Sequence, residues 1–168
     1  MFNNGKVCCK LNYYHNVMEQ KITWDKFLYT WEHKKAFLKV ERQYFHKNTW
    51  RGYVHDLDKL LWWFPIAFLF GKTDKWVQKK HRLFAKHHAE NKQPKSDAVC
   101  YEMIIDWECA RFTKPDKPLN AVQTLEKFYP SFAETILPYM VKMTLITDAQ
   151  ARDCMQRILQ RRIQNEIK

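Results

Sequence analysis

From Trp24 onward the large apolar residues Trp24, Phe27, Leu28 and Trp31 step by threes and fours, and the same phase continues through Phe37, Leu38, Val40 and Phe45. This spacing lines side chains along one face of an α-helix. Thr23 stands where an N-cap belongs, so one or two helices are expected over residues 23–46. The same period recurs downstream. Val99, Met103, Ile104, Trp107 and Ala110 follow Ser96 or Asp97 as a cap, and Met155, Ile158, Leu159, Ile163 and Ile167 share a face of a last helix. Only 3 glycines occur in 168 residues, too few for the many tight turns of a β-protein. The expected fold class is all-α.

Between these helices the chain reads as a short segment over 49–61, an interruption at Pro65 and at the Gly71–Asp74 turn, and a basic helix from Lys75 to about His88. A polar loop follows over 89–96, then helices over 120–128, 130–145 and 148–167. Pro115 and Pro118 suggest a boundary, with a core over residues 1–115 and a helical extension over 116–168 packing on it. The apolar run from Leu60 to Phe70 falls well short of the roughly 20 residues that span a bilayer and is expected to be buried core. Residues 1–21 are mixed, apart from a Tyr13-Tyr14 pair, and lack an apolar signal core. The 5 cysteines form no C-x-x-C pair, which suits a reducing compartment better than a disulfide framework. The expectation is a cytoplasmic protein with no membrane partner; the oligomeric state is left open.

The formal net charge of +11 points to anionic partners. Much of it lies between residues 72 and 95, where Lys72, Lys75, Lys79, Lys80, Arg82, Lys86, Lys92 and Lys95 face only Asp74 and Glu90. A phosphorylated small molecule or nucleotide fits such a bias, and nucleic acid stays open as a partner through the same surface.

Against this background the dipeptide His55-Asp56 gains meaning from its neighbours. His33 lies upstream, and His81, His87, His88 and Asp106 lie downstream. His81 and His88 are two helical turns apart, so they share a face, while His87 points away unless the helix ends first. Glu102 and Asp106 are four apart and can face one site. A carboxylate on a helix otherwise bearing Met103, Ile104 and Trp107 needs a partner to be buried. Imidazoles mixed with carboxylates suit manganese, iron, nickel or zinc rather than calcium. His15 and His46 match no position in this pattern. Trp62, Trp63 and Trp107 have the faces to stack a base, but core packing is the preferred reading of each.

The stretch from His33 to Thr113 resembles the HD superfamily, and more narrowly the small uncharacterised HD-like proteins with an H…HDLSK…HR…HHPEN…EMICDW pattern. The matching text is Trp-Glu-His33, His55-Asp-Leu-Asp-Lys-Leu60, His81-Arg, His87-His-Ala-Glu-Asn91 and Glu102-Met-Ile-Ile-Asp-Trp107. The resemblance implies an HD-like helical bundle holding one or two divalent transition-metal ions. It implies that His33, His55, Asp56 and Asp106 hold the first ion, with His81, His87 and His88 holding a second that Asp56 bridges. Lys59 falls where related phosphohydrolases place a phosphate-contacting lysine. Asp58 departs from the small residue usual there, and either repels an anionic substrate or pairs with Lys59. Glu102 and Asp58 are expected to support the ligands rather than bind metal.

The activity implied is hydrolysis of a nucleotide or other phosphoester by a metal-bound hydroxide, with Asp56 and Lys59 central and Arg82 assisting at the phosphoryl oxygens. Two other readings remain. Some HD proteins resemble this ligand set and activate oxygen at a di-iron centre. A non-catalytic basic helical module binding nucleic acid or an acidic partner is the third, although no nucleic-acid-binding motif accompanies the charge.

Overall fold

The computed structural model describes residues 21–114, 116 and 118–166. The Tyr13-Tyr14 pair, His15, Cys8, Cys9, Pro115 and Ile167 lie outside the described residues. The fold is all-α, with no strand among the described residues and a single bridge between Lys21 and Thr73. The elements are α1 (Trp24–Phe45), α2 (Trp50–Val54), a π turn (Lys59–Trp63) leading into α3 (Phe64–Leu69), α4 (Asp74–Phe84), α5 (Asp97–Thr113), α6 (Ala121–Phe128), a 3-10 turn (Pro130–Phe132), α7 (Ala133–Lys142) and α8 (Asp148–Glu166). No helix among the described residues is long and apolar enough to cross a membrane.

Long α1 and α5 form the frame, and their apolar faces meet in the larger core. Phe37 and Val40 of α1 pack there with Cys100, Met103 and Ile104 of α5, and α6, α7 and the first half of α8 close the cluster through Leu125, Ile136, Met140 and Ile158. A smaller core joins Ile22, Leu60, Phe64, Ala67 and Val77. The metal-ligand candidates sit where the two clusters meet: His55 stacks on Phe37, 3.9 Å between ring centroids, and Trp63 donates to Asp58 at 2.8 Å.

Several expectations are corrected. Pro65 does not interrupt the chain, because it occupies the first turn of α3, where its missing N–H costs no bond. The run buries a single stripe of α-helical spacing, Leu60, Phe64 and Ala67, while Leu61, Trp62, Leu69 and Phe70 face out. Trp62 is therefore surface, not core; Trp107 is buried and stacks on Tyr129. The basic helix stops at Phe84 rather than His88. On α8 only Cys154 and Ile158 are fully buried, and Leu159 and Ile163 are exposed.

Candidate metal centre

Three helices and two turns build the centre. His33 lies in the middle of α1, His81 near the end of α4, and Glu102 and Asp106 one turn apart on α5. His55-Asp56 and His87-His88 occupy the turns that follow α2 and α4.

The His55-Asp56 turn is held from beneath. The Thr49 side chain caps α2 by accepting from Gly52 N at 3.2 Å, and buried Glu41 in turn accepts from Thr49 N at 3.0 Å and from its hydroxyl. At the other end the buried Lys34 ammonium donates to the carbonyls of Gly52, Tyr53 and His55, groups a helix end leaves without partners. Burial pushes the Lys34 pKa down, opposed by Asp56 and Glu41. So anchored, the chain turns sharply enough that Asp56 adopts φ 58°, a left-handed conformation uncommon for a residue with a side chain and concentrated at functional sites.

The second turn is built by the same device. Asn91 donates to the Leu83 and Phe84 carbonyls that end α4, and Lys95 Nζ donates to the carbonyls of Lys86, His88 and Asn91. Leaving the helix at Phe84 frees His87 from helical phase, so both it and His88 turn inward. Lys95 is therefore spent on its own loop rather than on steering an anion.

Six of the seven ligand candidates are linked by a chain of short distances. His33 Nε2 lies 2.8 Å from Asp106 Oδ1, and His55 Nε2 lies 3.5 Å from the same oxygen and 3.7 Å from Asp56 Oδ1. His81 Nε2 is 3.0 Å from Asp56 Oδ1, and His81 and His87 rings are 5.2 Å apart. His88 completes the set: His81, His87 and His88 present ring nitrogens within 4.8 Å of one another, as do His33, His55 and Asp56. Ligands of one ion, each bonded at about 2.1 Å, stand about 3 Å or slightly more from each other, and the atom-to-atom distances from 2.8 to 3.7 Å lie in or close to that range. Asp56 Oδ1 stands between the groups, 3.0 Å from His81 Nε2 and 3.7 Å from His55 Nε2.

The outer nitrogens are assigned to carboxylates or a hydroxyl. Asp58 lies 2.8 Å from His81 Nδ1, Glu102 Oε1 lies 3.3 Å from His55 Nδ1 and 3.0 Å from His87 Nδ1, and Thr113 meets His33 Nδ1 at 3.2 Å. Arg51 fixes Glu102 from behind with two bonds to Oε2, at 2.8 and 3.0 Å. Protons on these Nδ1 atoms leave the Nε2 lone pairs facing inward, the arrangement that orients metal-binding histidines. There, the Nε2 atoms of His55, His81, His87 and His88 and Asp56 Oδ1 are buried with no hydrogen-bond partner. Buried polar atoms are almost always paired, so a convergent set of five calls for a further species, and a transition-metal ion fits the donors.

Charge favours the same species. Four carboxylates, Asp56, Asp58, Glu102 and Asp106, meet two permanent cations, Lys59 and Arg51. Burial pushes the His55 pKa down, but Asp56, Asp106 and Glu102 outweigh it and hold it up at about 10, so without metal His55 carries a proton on Nε2 that a bound cation would displace. Burial also works against ionised Asp56 and Asp106, yet Lys59 with His55 and His81 hold the first, and His33 with His55 the second, well below the usual carboxylate range. His88 is pushed down to about 2, mainly by burial, and His87 is lowered by burial and by the charge of His55. Both are thereby kept neutral and able to bind metal.

Other candidates fall differently. Lys59 is buried with Nζ 2.8 Å from Asp56 Oδ2, so it pairs with Asp56 and not with Asp58. Asp58 instead receives His81 and the Trp63 indole. Arg82 lies on the surface, 3.4 Å from Glu90, and no contact brings it to the cluster. His46 ends α1 in the left-handed conformation, outside the cluster. Lys34, Glu41, Arg51 and the hydroxyl of Thr113 escaped the sequence reading, and Asn91 and Lys95 were named there without their role in the turn; the local signal for the first turn was Thr49 three residues before Gly52, an N-cap spacing. Set against known proteins, the chain matches no family model, no curated protein and no solved structure.

Proposed function

We propose that this chain is an HD-type metal-dependent phosphohydrolase acting on a nucleotide or another phosphoester. The observation that supports this most is the set of five buried polar atoms, from His55, Asp56, His81, His87 and His88, that converge within reach of one another without forming aligned hydrogen bonds. Their donor chemistry suits one or two ions of manganese, iron, nickel or zinc. Such ions supply, when bound, a Lewis acid for a phosphoryl oxygen and a coordinated water acidic enough to attack near neutral pH. The order of the ligands along the chain resembles that of the HD superfamily, and their grouping in space accords with the division the resemblance implies.

The protein's own residues position and polarise. Asp58, Glu102 and Thr113 fix which imidazole nitrogen faces inward. Phe37 closes the back of the centre over His55. Lys59 holds a buried positive charge beside Asp56, where it offsets negative charge that builds on a reacting phosphoryl group without having to reorganise. The basic surface of α4 and its flanks attracts the anion.

Assay of the metal-loaded protein against a panel of nucleotides and phosphoesters tests the proposal. Manganese-, nickel- or iron-dependent hydrolysis is expected, abolished by Asp56→Ala. Lys59→Ala should lower turnover by about a hundredfold and leave metal content unchanged, since a protonated amine is not a ligand. Metal-replete protein that is inert on the panel yet consumes oxygen with iron bound would transfer the case to a di-iron oxygenase. Metal-free protein that binds nucleic acid would make it a basic binding module.

A further inference from the structure

Phe27 of α1 meets Phe64 of α3 at 5.9 Å between ring centroids, and Trp24 meets Phe68 at the same separation. Further along, Lys34 reaches the His55 carbonyl. The partner's number falls as the number along α1 rises, so α1 runs antiparallel to the π turn and α3, and their outward faces lie side by side. Trp24, Leu28 and Trp31 step by four and three along one face. Leu61, Pro65 and Phe68 do the same along the other, with Trp62 and Leu69 on the next stripe out. All eight are exposed. Residues 61–69 contain no charge at all, and Asp25 and Glu32 lie on the flank of α1 turned away from Phe27 and α3.

Seven of these side chains are 40–78% exposed, which leaves roughly 800 Å² of apolar surface open when a full side chain is taken as about 200 Å². The largest apolar patch on an ordinary monomer is roughly 300–600 Å². Both ends of the strip are basic. At the Trp24–Phe68 end, Ile22 N donates to the Lys72 carbonyl at 3.1 Å and a bridge joins Lys21 to Thr73, which brings the exposed Lys21 and Lys72 there. At the other end, Lys35 continues the Trp24–Leu28–Trp31 stripe by one turn, and Lys39 lies a turn beyond. A second copy seated on the strip by a twofold axis would set lysine against lysine in either orientation, and a formal +11 against +11. A surface that is apolar within and anionic at its edge complements both features. Tryptophan and lysine are also the residues that settle where acyl chains meet headgroups.

From this juxtaposition we infer that the strip docks the protein on the surface of an anionic lipid bilayer, with Trp24, Trp31 and Trp62 entering the headgroup layer and Lys21, Lys35, Lys39 and Lys72 facing the headgroups. Such docking needs no spanning segment. The inference is independent of the proposed activity, so its failure leaves that reading untouched.

The test is flotation of the full chain with vesicles of phosphatidylcholine, with and without phosphatidylserine, for wild type, Trp31→Gln, Trp62→Gln and Lys72→Ala. Wild type is expected to float with the anionic vesicles and much less with the neutral ones. Each tryptophan variant should lower the partition coefficient about ten- to a hundredfold, and Lys72→Ala about fivefold, with circular dichroism and metal content unchanged. Binding that both tryptophan variants retain in full and that salt abolishes would be charge alone, and would overturn the role of the strip. Equal flotation with the two vesicle types would overturn the anionic partner. Wild type that floats with neither would overturn the inference outright. It would do so in favour of a second copy if light scattering shows a dimer that Trp62→Gln splits, and of the chain's own residues 1–20 if deleting them produces flotation.

Discussion

Gly52 sits inside α2 against the carboxylate that anchors the His55-Asp56 turn, so Gly52→Ala is a sharp perturbation of the centre's support. A Cβ at this position falls onto Glu41, 2.7 Å from Cδ, 2.9 Å from Oε1 and closer still to Oε2. Glu41 is 2% exposed and cannot swing into solvent without releasing the Thr49 amide and hydroxyl. Two hydrogen bonds to a charged group contribute about 1.5–3 kcal/mol each. Alanine's helix preference over glycine returns about 1 kcal/mol, and partial relaxation returns more. The net cost is expected to be about 2–4 kcal/mol, read as a lower urea midpoint at constant m-value, together with weaker metal binding because the turn begins where α2 ends. The contact is specific to one side chain, so the sign should reverse in a Glu41→Ala background, where Gly52→Ala is expected to stabilise by up to about 1 kcal/mol. The same cost in both backgrounds would refute the reasoning.

Asp58→Asn keeps shape but weakens the grip on His81 Nδ1, so metal affinity should fall about ten- to a hundredfold while circular dichroism is unchanged; unchanged affinity would remove Asp58 from the centre's support. Glu126 joins α6 to α8 through Arg157, 2.5 Å away, and Arg161. Burial works against its charge, but the bond from Arg157 and the two guanidinium charges hold its pKa below the ordinary glutamate value. Its contribution is therefore present above that ordinary value and lost as pH falls through the lower folded one. Wild type should exceed Glu126→Gln by about 0.5–1 kcal/mol at pH 7 and by nothing once the pH is below the folded pKa, as measured by urea unfolding; a gap that persists in acid would contradict this.

Much of the helix pattern and the identity of the clustered residues was legible in the sequence, because helical period and ligand chemistry are both carried by residue type. Glu102 and Asp106 face one site as their spacing of four requires. What was hidden depended on contacts between distant segments. The end of α4 is set by Asn91 reaching back to its last carbonyls, with Lys95 tying the turn that follows, so the exception allowed for His87, that the helix ends before it, is the one that applies. Lys34 stands beside Lys35 and reads like an ordinary surface lysine until α2 is laid over it. The run from Leu60 to Phe70 is apolar on every face, so by residue type the exposed Trp62, Leu69 and Phe70 could not be told from the buried stripe of Leu60, Phe64 and Ala67. Asp58 was expected to support the ligands, but the partner named for it was Lys59, its chain neighbour, whereas the fold hands it to His81.

The central claim is that this cluster binds transition metal, and elemental mass spectrometry of the purified protein tests it most directly. One or two manganese, iron, nickel or zinc ions per chain are expected in wild type and in His46→Ala, with steep loss in Asp56→Ala and Asp106→Ala, since each removes a charged ligand atom from the group. Wild-type protein without metal, or Asp56→Ala with as much metal as wild type, would contradict the account.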